Sequence, residues 1–337
     1  MQISTEPADY QGVFAPVIYG ITGAQPEFAL DVTVFGATPQ DVLGIKRFRG
    51  ATDYSVNVAN YLRRIVRFDP QKRAQVGFYV DHGRSVVSRI KADNTYSAQK
   101  VMTAGARNAA AYTMMSDAPQ SVEIMPRDMD EISFIAPYVQ VTAEIELTGA
   151  NNNAKVPIAA FPSADKVCSL FIDMARLAEA VAADTPDEVA RRYHTMTVSI
   201  MKDNIPFIKR RYNVVPEHKG CVRLCWVNDH GALDFYTFAL CDSEKIAAHK
   251  SRIYTVEGYR VYDSFAERTY TLRSGYEPRS VIDWLCGVVC SPRVWMVRGE
   301  EFVPVDVITD EVTVRSGSPA ALSLTLRESK KIFHQKF

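Results

Sequence analysis

Alternation with a period of two is the feature that most restricts what this chain can fold into. Across residues 139–148, Val139, Val141, Ala143, Ile145 and Leu147 alternate with Gln140, Thr142, Glu144, Glu146 and Thr148. Successive side chains of a strand point to opposite faces, so this segment reads as a strand with one buried and one wet face. Strands of that kind belong to antiparallel sheets. The pattern returns near both ends: Phe28, Leu30, Val32 and Val34 alternate with Ala29, Asp31 and Thr33, and Leu322, Leu324 and Leu326 alternate with Ser323, Thr325 and Arg327. Two hairpins are predicted. One turns from residues 78–80 through Asp81-His82-Gly83-Arg84 into 85–90, the other from 222–226 through Asn228-Asp229-His230-Gly231 into 233–238; in each the glycine supplies the positive φ that a tight turn needs.

Helical spacing is confined to short segments. Val281, Trp284, Leu285, Val288 and Val289 fall on one helical face, Pro278 suits a first turn, and Ser291-Pro292 stops the run. Trp284, at the centre of that face, is expected to be buried against a sheet. Residues 166–183 read as a helix or as a strand leading into one; 58–66, with Val58, Tyr61, Leu62 and Ile65 on one side, and Ala-rich 107–115 are further predicted helices. Long strand-helix-strand alternation is missing, which disfavours a doubly wound parallel sheet. The expected fold is mainly β, with two β-sandwich-like domains and a few short helices. Polar breaks at 149–155 and 184–188 place the division near 190, giving an N-terminal β-rich domain (1–190) and a C-terminal β domain (191–337) that carries the amphipathic helix.

Charge and motif content narrow the chemistry. Lys plus Arg and Asp plus Glu balance at 39 each, so no global field draws the chain to a polyanion, and nucleic acid is not an expected partner. The apolar stretches are too short, or too interrupted by charges such as Asp173 and Arg176, to span a bilayer, and the first seven residues lack the basic start and apolar core of a secretory signal. A soluble protein made in a bacterial cytoplasm is expected. Cys221 and Cys225, and Cys286 and Cys290, are spaced four apart; small apolar packing explains them better than zinc, and all six cysteines are expected as free buried thiols with no metal or cofactor. His82 and His230 sit in turns, and His194, His218, His249 and His334 have no cysteine or acid at a ligand spacing. Neither a Gly-x-Ser-x-Gly elbow nor a phosphate-binding Gly-x4-Gly-Lys-Ser/Thr loop occurs. The acids Asp128, Asp130 and Glu131 lack the pattern of a calcium loop, and Glu144 and Glu146 suit a solvated strand face. Lys209-Arg210-Arg211, Lys330, Lys331 and Lys336 are read as cations facing water. Catalytic residues are therefore not expected.

One segment stands apart. Arg252, Tyr254, Tyr259, Arg260, Tyr262, Arg268, Tyr270, Arg273 and Tyr276 interleave Tyr with Arg, the pair of residue types most enriched at protein interfaces because they bury large areas while keeping polar ends paired. They form the candidate interface. Core packing of the tyrosines and stacking against a sugar are the competing readings.

The C-terminal third adds a resemblance. Residues 224–238 (Leu-Cys-Trp-Val-Asn-Asp-His-Gly-Ala-Leu-Asp-Phe-Tyr-Thr-Phe), 270–274, Pro278-Arg279-Ser280-Val281-Ile282-Asp283-Trp284-Leu285 and Ser291-Pro292-Arg293-Val294 resemble tail proteins of tailed phages and prophages of Bacteroides-like bacteria. In those, a Trp-Asn-Gly-Asp-aromatic hairpin precedes a tyrosine-rich strand, a short helix and a Ser-Pro step. The resemblance implies a virion structural protein similar to distal tail or tail-tip hub components, in a homo-oligomeric ring with neighbouring tail proteins as partners. The expected alternative is a carbohydrate- or receptor-binding β-sandwich module.

Overall fold

The computed structural model describes residues 1–313 and 320–336, with backbone alone at 334–336. Strands Gln2–Thr5, Ile18–Thr22 and Tyr54–Asn57 form a three-stranded antiparallel sheet. A five-stranded sheet faces it, built from Val42–Phe48, Leu30–Phe35, Ser85–Ala92, Thr95–Tyr96 and Lys100–Thr103. Alternation supplies the core between them: Leu30, Val32, Val34, Ile90 and Ala92 meet Tyr19, Ile21, Val56 and Val58, all buried. Residues of two strands facing inward at period two make this a small sandwich.

The remaining chain shares one larger core that runs from Ala118 to Leu326. It lies among a five-stranded sheet (order Ser121–Ile124, Ile205–Val214, Thr195–Lys202, Gln140–Thr148, Asn153–Pro162), a three-stranded sheet (Met129–Ile135, Val167–Asp173, Gly77–Val80) and an eight-stranded sheet. Gln140–Thr148 buries Val141, Ala143, Ile145 and Leu147, as its alternation requires. The protein is mainly β with a few short helices. The expected division near residue 190 does not hold: Thr195–Lys202 pairs with Gln140–Thr148 along its whole length, so a cut there would split one sheet. The chain passes between the two cores more than once: Val13 to Leu62 and Val86 to Met102 build the N-terminal sandwich, whereas Phe68 and Gly77–Val80 pack with the later part of the chain.

Leu233–Phe238 and Leu240–Thr255 are one run of chain interrupted at Ala239. The first part pairs with Val222–Val227 at one edge of the eight-stranded sheet and the second with Gly258–Arg273 at the other. Because a single run supplies both edges, the sheet must curl on itself into a partial barrel. Helix Arg279–Leu285 covers the end of that barrel where Leu233 begins. Trp284 is 7% exposed, its ring 5.1 Å from Trp226 and 6.1 Å from Tyr236, and its indole N–H donates to Asp234 at 2.7 Å.

Three local expectations are corrected. Residues 107–115 are a loop, because their amides bond outward: Arg107 to the Asp229 carbonyl, Ala109 to Tyr10, Tyr112 to Ile135 and Met115 to Ser133. Residues 58–66 hold a single turn of helix, Ala59–Leu62, and the Arg63 side chain then donates to the carbonyls of Val13 and Phe14. Gly77–Val80 and Ser85–Ala92 are not a hairpin pair; the first pairs with Val167–Asp173 and the second with Leu30–Phe35, so Asp81–Arg84 switches the chain between sheets. The open choice at 166–183 resolves as strand Val167–Asp173 and then helix Met174–Ala180, with the Asp173 carboxylate accepting from the amides of Ala175 and Arg176.

Two glycines let the sandwich meet the barrel. A Cβ on Gly105 would lie 2.6 Å from the His230 carbonyl carbon, and one on Gly231, whose φ is +77°, would lie 2.3 Å from that of Ala104. Any side chain at either position would wedge two backbones apart. Among the described residues, no helix is long and apolar enough to cross a membrane.

Candidate assembly surface

Two strands of sixteen residues each, Leu240–Thr255 and Gly258–Arg273, make a hairpin that outgrows the sheet holding it. Near its base Gly258–Arg273 pairs on its other side with Ser323–Glu328 at residues 269–273, and with Ile332–Lys336 at 263–266. Among the described residues no third strand pairs beyond Asp263, and the hairpin continues as two strands to a turn at Val256 and Glu257. At about 3.3 Å per residue the unsupported arm reaches roughly 15 Å past its last neighbour. A two-stranded ribbon alone is marginal in water.

The tip exposes what a solvated ribbon would hide. Tyr254 is 76% exposed, Tyr259 77% and Val256 fully so, with Ile253, Val261 and Tyr262 also exposed. Directly opposed residues share a face, so Arg252, Val261, Tyr254 and Tyr259 lie on one side of the ribbon and Ile253 and Arg260 on the other. A register shift between Ser251 and Arg252 leaves Tyr262 as the extra residue of a bulge. The rings of Tyr254 and Tyr259 are 5.1 Å apart at 71°, edge to face. That arrangement is no flat platform for a sugar.

The nine sequence-predicted residues separate into three groups. Arg252, Tyr254, Tyr259, Arg260 and Tyr262 are brought together at the tip. Arg268, Tyr270 and Arg273 stay at the base and are used within the chain. Tyr270 is 5% exposed and belongs to the core, which corrects its assignment as an interface residue. Its hydroxyl donates to Glu328 at 2.8 Å, and Arg298 closes on the same carboxylate at 2.9 Å. Burial raises the Glu328 carboxyl, but the Tyr270 and Arg298 hydrogen bonds outweigh it and hold the group below the usual range. Arg268 pairs with Glu244 at 3.1 Å and Arg273 with Asp242 at 3.3 Å. Tyr276 is 83% exposed but follows the hairpin, beside the helix at the opposite end of the barrel.

The sequence reading also missed a buried charged seam. Strand Met129–Ile135 is buried on both faces, so its acids do not face water. Glu131 meets Arg84 at 2.6 Å, and Arg84 lies 3.5 Å from Asp81, which in turn meets Arg73 at 2.6 Å. Asp128 meets Arg223 at 2.9 Å and accepts from the Thr237 hydroxyl at 2.8 Å. Arg210, expected to face water, is 5% exposed and lies 3.9 Å from Asp130. Lys336 has its side chain outside the described residues. The signal was present: an arginine between apolar neighbours, as in Val222-Arg223-Leu224, has to find an acid if its strand is buried on both faces.

The thiols and acids elsewhere follow burial. All six cysteines are free; Cys168 and Cys225 are buried, whereas Cys290 is exposed, contrary to the expectation of uniform burial. Burial pushes the Cys168 thiol up to about 11 and that of Cys225 well above its ordinary value. His230 is half-buried against Asp117 at 3.2 Å rather than free in its turn. Among the described residues, no group of three or more His, Cys, Asp or Glu is placed to hold a metal ion.

No family model matches the chain, and no curated protein is similar to it. Among solved structures, one described as the crystal structure of DIP-gamma IG1+IG2 is similar at 12% identity and a TM-score of 0.17, covering 65% of this chain and 97% of that one. A TM-score that low carries no argument about this chain.

Proposed function

We propose that the protein is a structural component of a phage tail or tail tip, acting by self-assembly and by contact with neighbouring tail proteins. The observation that carries this reading is the arm: an unsupported ribbon that exposes Tyr254, Val256, Tyr259 and Tyr262 where a solvated hairpin would be polar. Exposed apolar clusters of this kind mark protein contacts, and a strand pair marginal on its own gains stability when a neighbour covers it. The resemblance of residues 224–238, 270–274, 278–285 and 291–294 to phage tail proteins supplies the setting, a closed homo-oligomeric ring in the virion.

The test is copy number in a purified particle. Mass spectrometry of virions carrying the gene is expected to find the chain at a fixed multiple of the other tail proteins. The double substitution Tyr254→Ala with Tyr259→Ala is expected to give folded protein that no longer enters particles. Absence from virions, together with glycan binding that these two substitutions abolish, would replace this reading with the sugar-binding module.

A further inference from the structure

The arm needs a receiving surface, and the far end of the same barrel carries one of complementary chemistry. The run of chain that ends at the arm tip, at Thr255, begins at Leu233, directly after the turn at Asn228–Gly231. Beside that turn lies a cleft of about 420 Å³. Its floor is formed by Trp226, Trp284 and Gly287, and its exposed rim by Asp117, Asp229 and Asp283. Buried Asp234 lines it too, and Arg107 is the one cation among its lining residues, held by Asp117 at 2.7 Å and Asp229 at 3.6 Å. Asp283 is paired with Arg279 at 2.7 Å, which leaves Asp117 and Asp229 against Arg107 and the rim negative by one charge.

The arm tip has the opposite balance. Arg252 and Arg260 stand against Glu257, and Glu257 pairs with Arg260. Arg252 has no ion-pair partner among the described residues. We propose that the arm tip of one copy docks into the acidic, tryptophan-floored cleft of the next copy, head to tail. The proposal rests on the self-assembly reading above and names its partner surface. A copy cannot fill its own cleft, because arm tip and cleft lie at opposite ends of one strand path. Two arm tips repel as like charges. The contact is heterologous, so repeating it closes a ring or extends a filament according to the rotation between copies.

Native Cys290, exposed and lining the cleft, is a built-in probe. In concentrated protein carrying Tyr254→Cys, a short bismaleimide is expected to give a ladder of cross-linked multimers that disappears when Cys290→Ser is added. In sedimentation, Arg252→Glu and Asp229→Arg are each expected to abolish self-association, and the two together to restore it. Both positions are exposed, so thermal stability should match the parent in every variant. Dimers that persist when Cys286→Ser, the other cleft-lining thiol, is added to Cys290→Ser would show tips meeting tips and overturn the proposal. Association lost with Arg252→Glu but kept with Asp229→Arg would overturn the cleft while leaving assembly through the arm. Association untouched by either change would overturn both. A parent that stays monomeric and yields no ladder would overturn the head-to-tail contact, leaving virion copy number to judge the assembly reading separately.

Discussion

The buried seam and the arm invert the usual placement of polarity. In the seam, Arg84, Arg223, Asp128 and Glu131 are each under 10% exposed, and every charge has a partner inside the chain. At the tip, Tyr254 and Tyr259 are more than three-quarters exposed, and among the described residues their only ring partners are each other. The seam therefore spends its interactions on holding sheets together within one molecule, whereas the arm leaves its own unmade. A stability experiment should read the first region and hardly notice the second; an assembly experiment should do the reverse.

The largest effect is expected in the seam. Glu131→Ala leaves the buried Arg84 guanidinium only the longer contact to Asp81 at 3.5 Å, a carboxylate that Arg73 already holds, and unfolding in urea should show a loss of about 3–5 kcal/mol. Replacing both partners, Arg84→Met with Glu131→Leu, should recover most of that loss, because the cost comes from the orphaned charge more than from the missing attraction. A single substitution that costs nothing would mean that water reaches the pair, and the contrast with the arm would collapse. Trp284→Ala is expected to cost a similar amount, about 3–5 kcal/mol, by opening a cavity between the helix and the Trp226 and Tyr236 rings.

A smaller effect, and one with a definite sign, belongs to Asp234. Burial raises its carboxyl above the ordinary range, against the opposing hydrogen bonds that include Trp284. The folded chain thus holds this proton more tightly than the unfolded chain. The stability tied to Asp234 is present below the unfolded carboxylate value and falls as pH rises through the window between that value and the raised folded one. Asp234→Asn removes the titration and keeps an oxygen that accepts from the indole. Its melting temperature relative to the parent should therefore climb as pH goes from acidic to neutral, and a difference that stays flat would refute the assignment.

The smallest effect is at the tip. Tyr254→Ala with Tyr259→Ala removes only a cross-strand ring pair, so the isolated protein should lose no more than about 1 kcal/mol. A loss as large as that of Glu131→Ala would show the arm to be an internal brace and break the comparison.

Legibility in the sequence follows the same division. Strands with one wet face, such as Gln140–Thr148, announce themselves because water on one side forces alternation. Strands buried on both sides do not, and so nothing beside Asp130 and Glu131 in the sequence pointed to their partners Arg210 and Arg84, which lie far away along the chain. The Tyr and Arg cluster was legible as a composition, but pairing decides which members stand free: Tyr270 has a third strand beside it and Tyr254 has none among the described residues. The division near 190 failed because a polar break marks where chain leaves a strand and says nothing about which sheet it rejoins.

The continuous run from Leu233 to Thr255 also has a mechanical meaning. Tension applied to the arm tip acts along the strands, while the hydrogen bonds between antiparallel strands lie across them. Such bonds resist together in shear instead of opening one after another like a peeled seam. A pull on the arm is thus carried down the whole hairpin to Arg273, into the Ser323–Glu328 strand beside it, and along the same backbone to Leu233 at the mouth of the cleft. If copies are linked arm to cleft, each barrel is a tension member, with load entering at one end and leaving at the other through a single unbroken stretch of polypeptide.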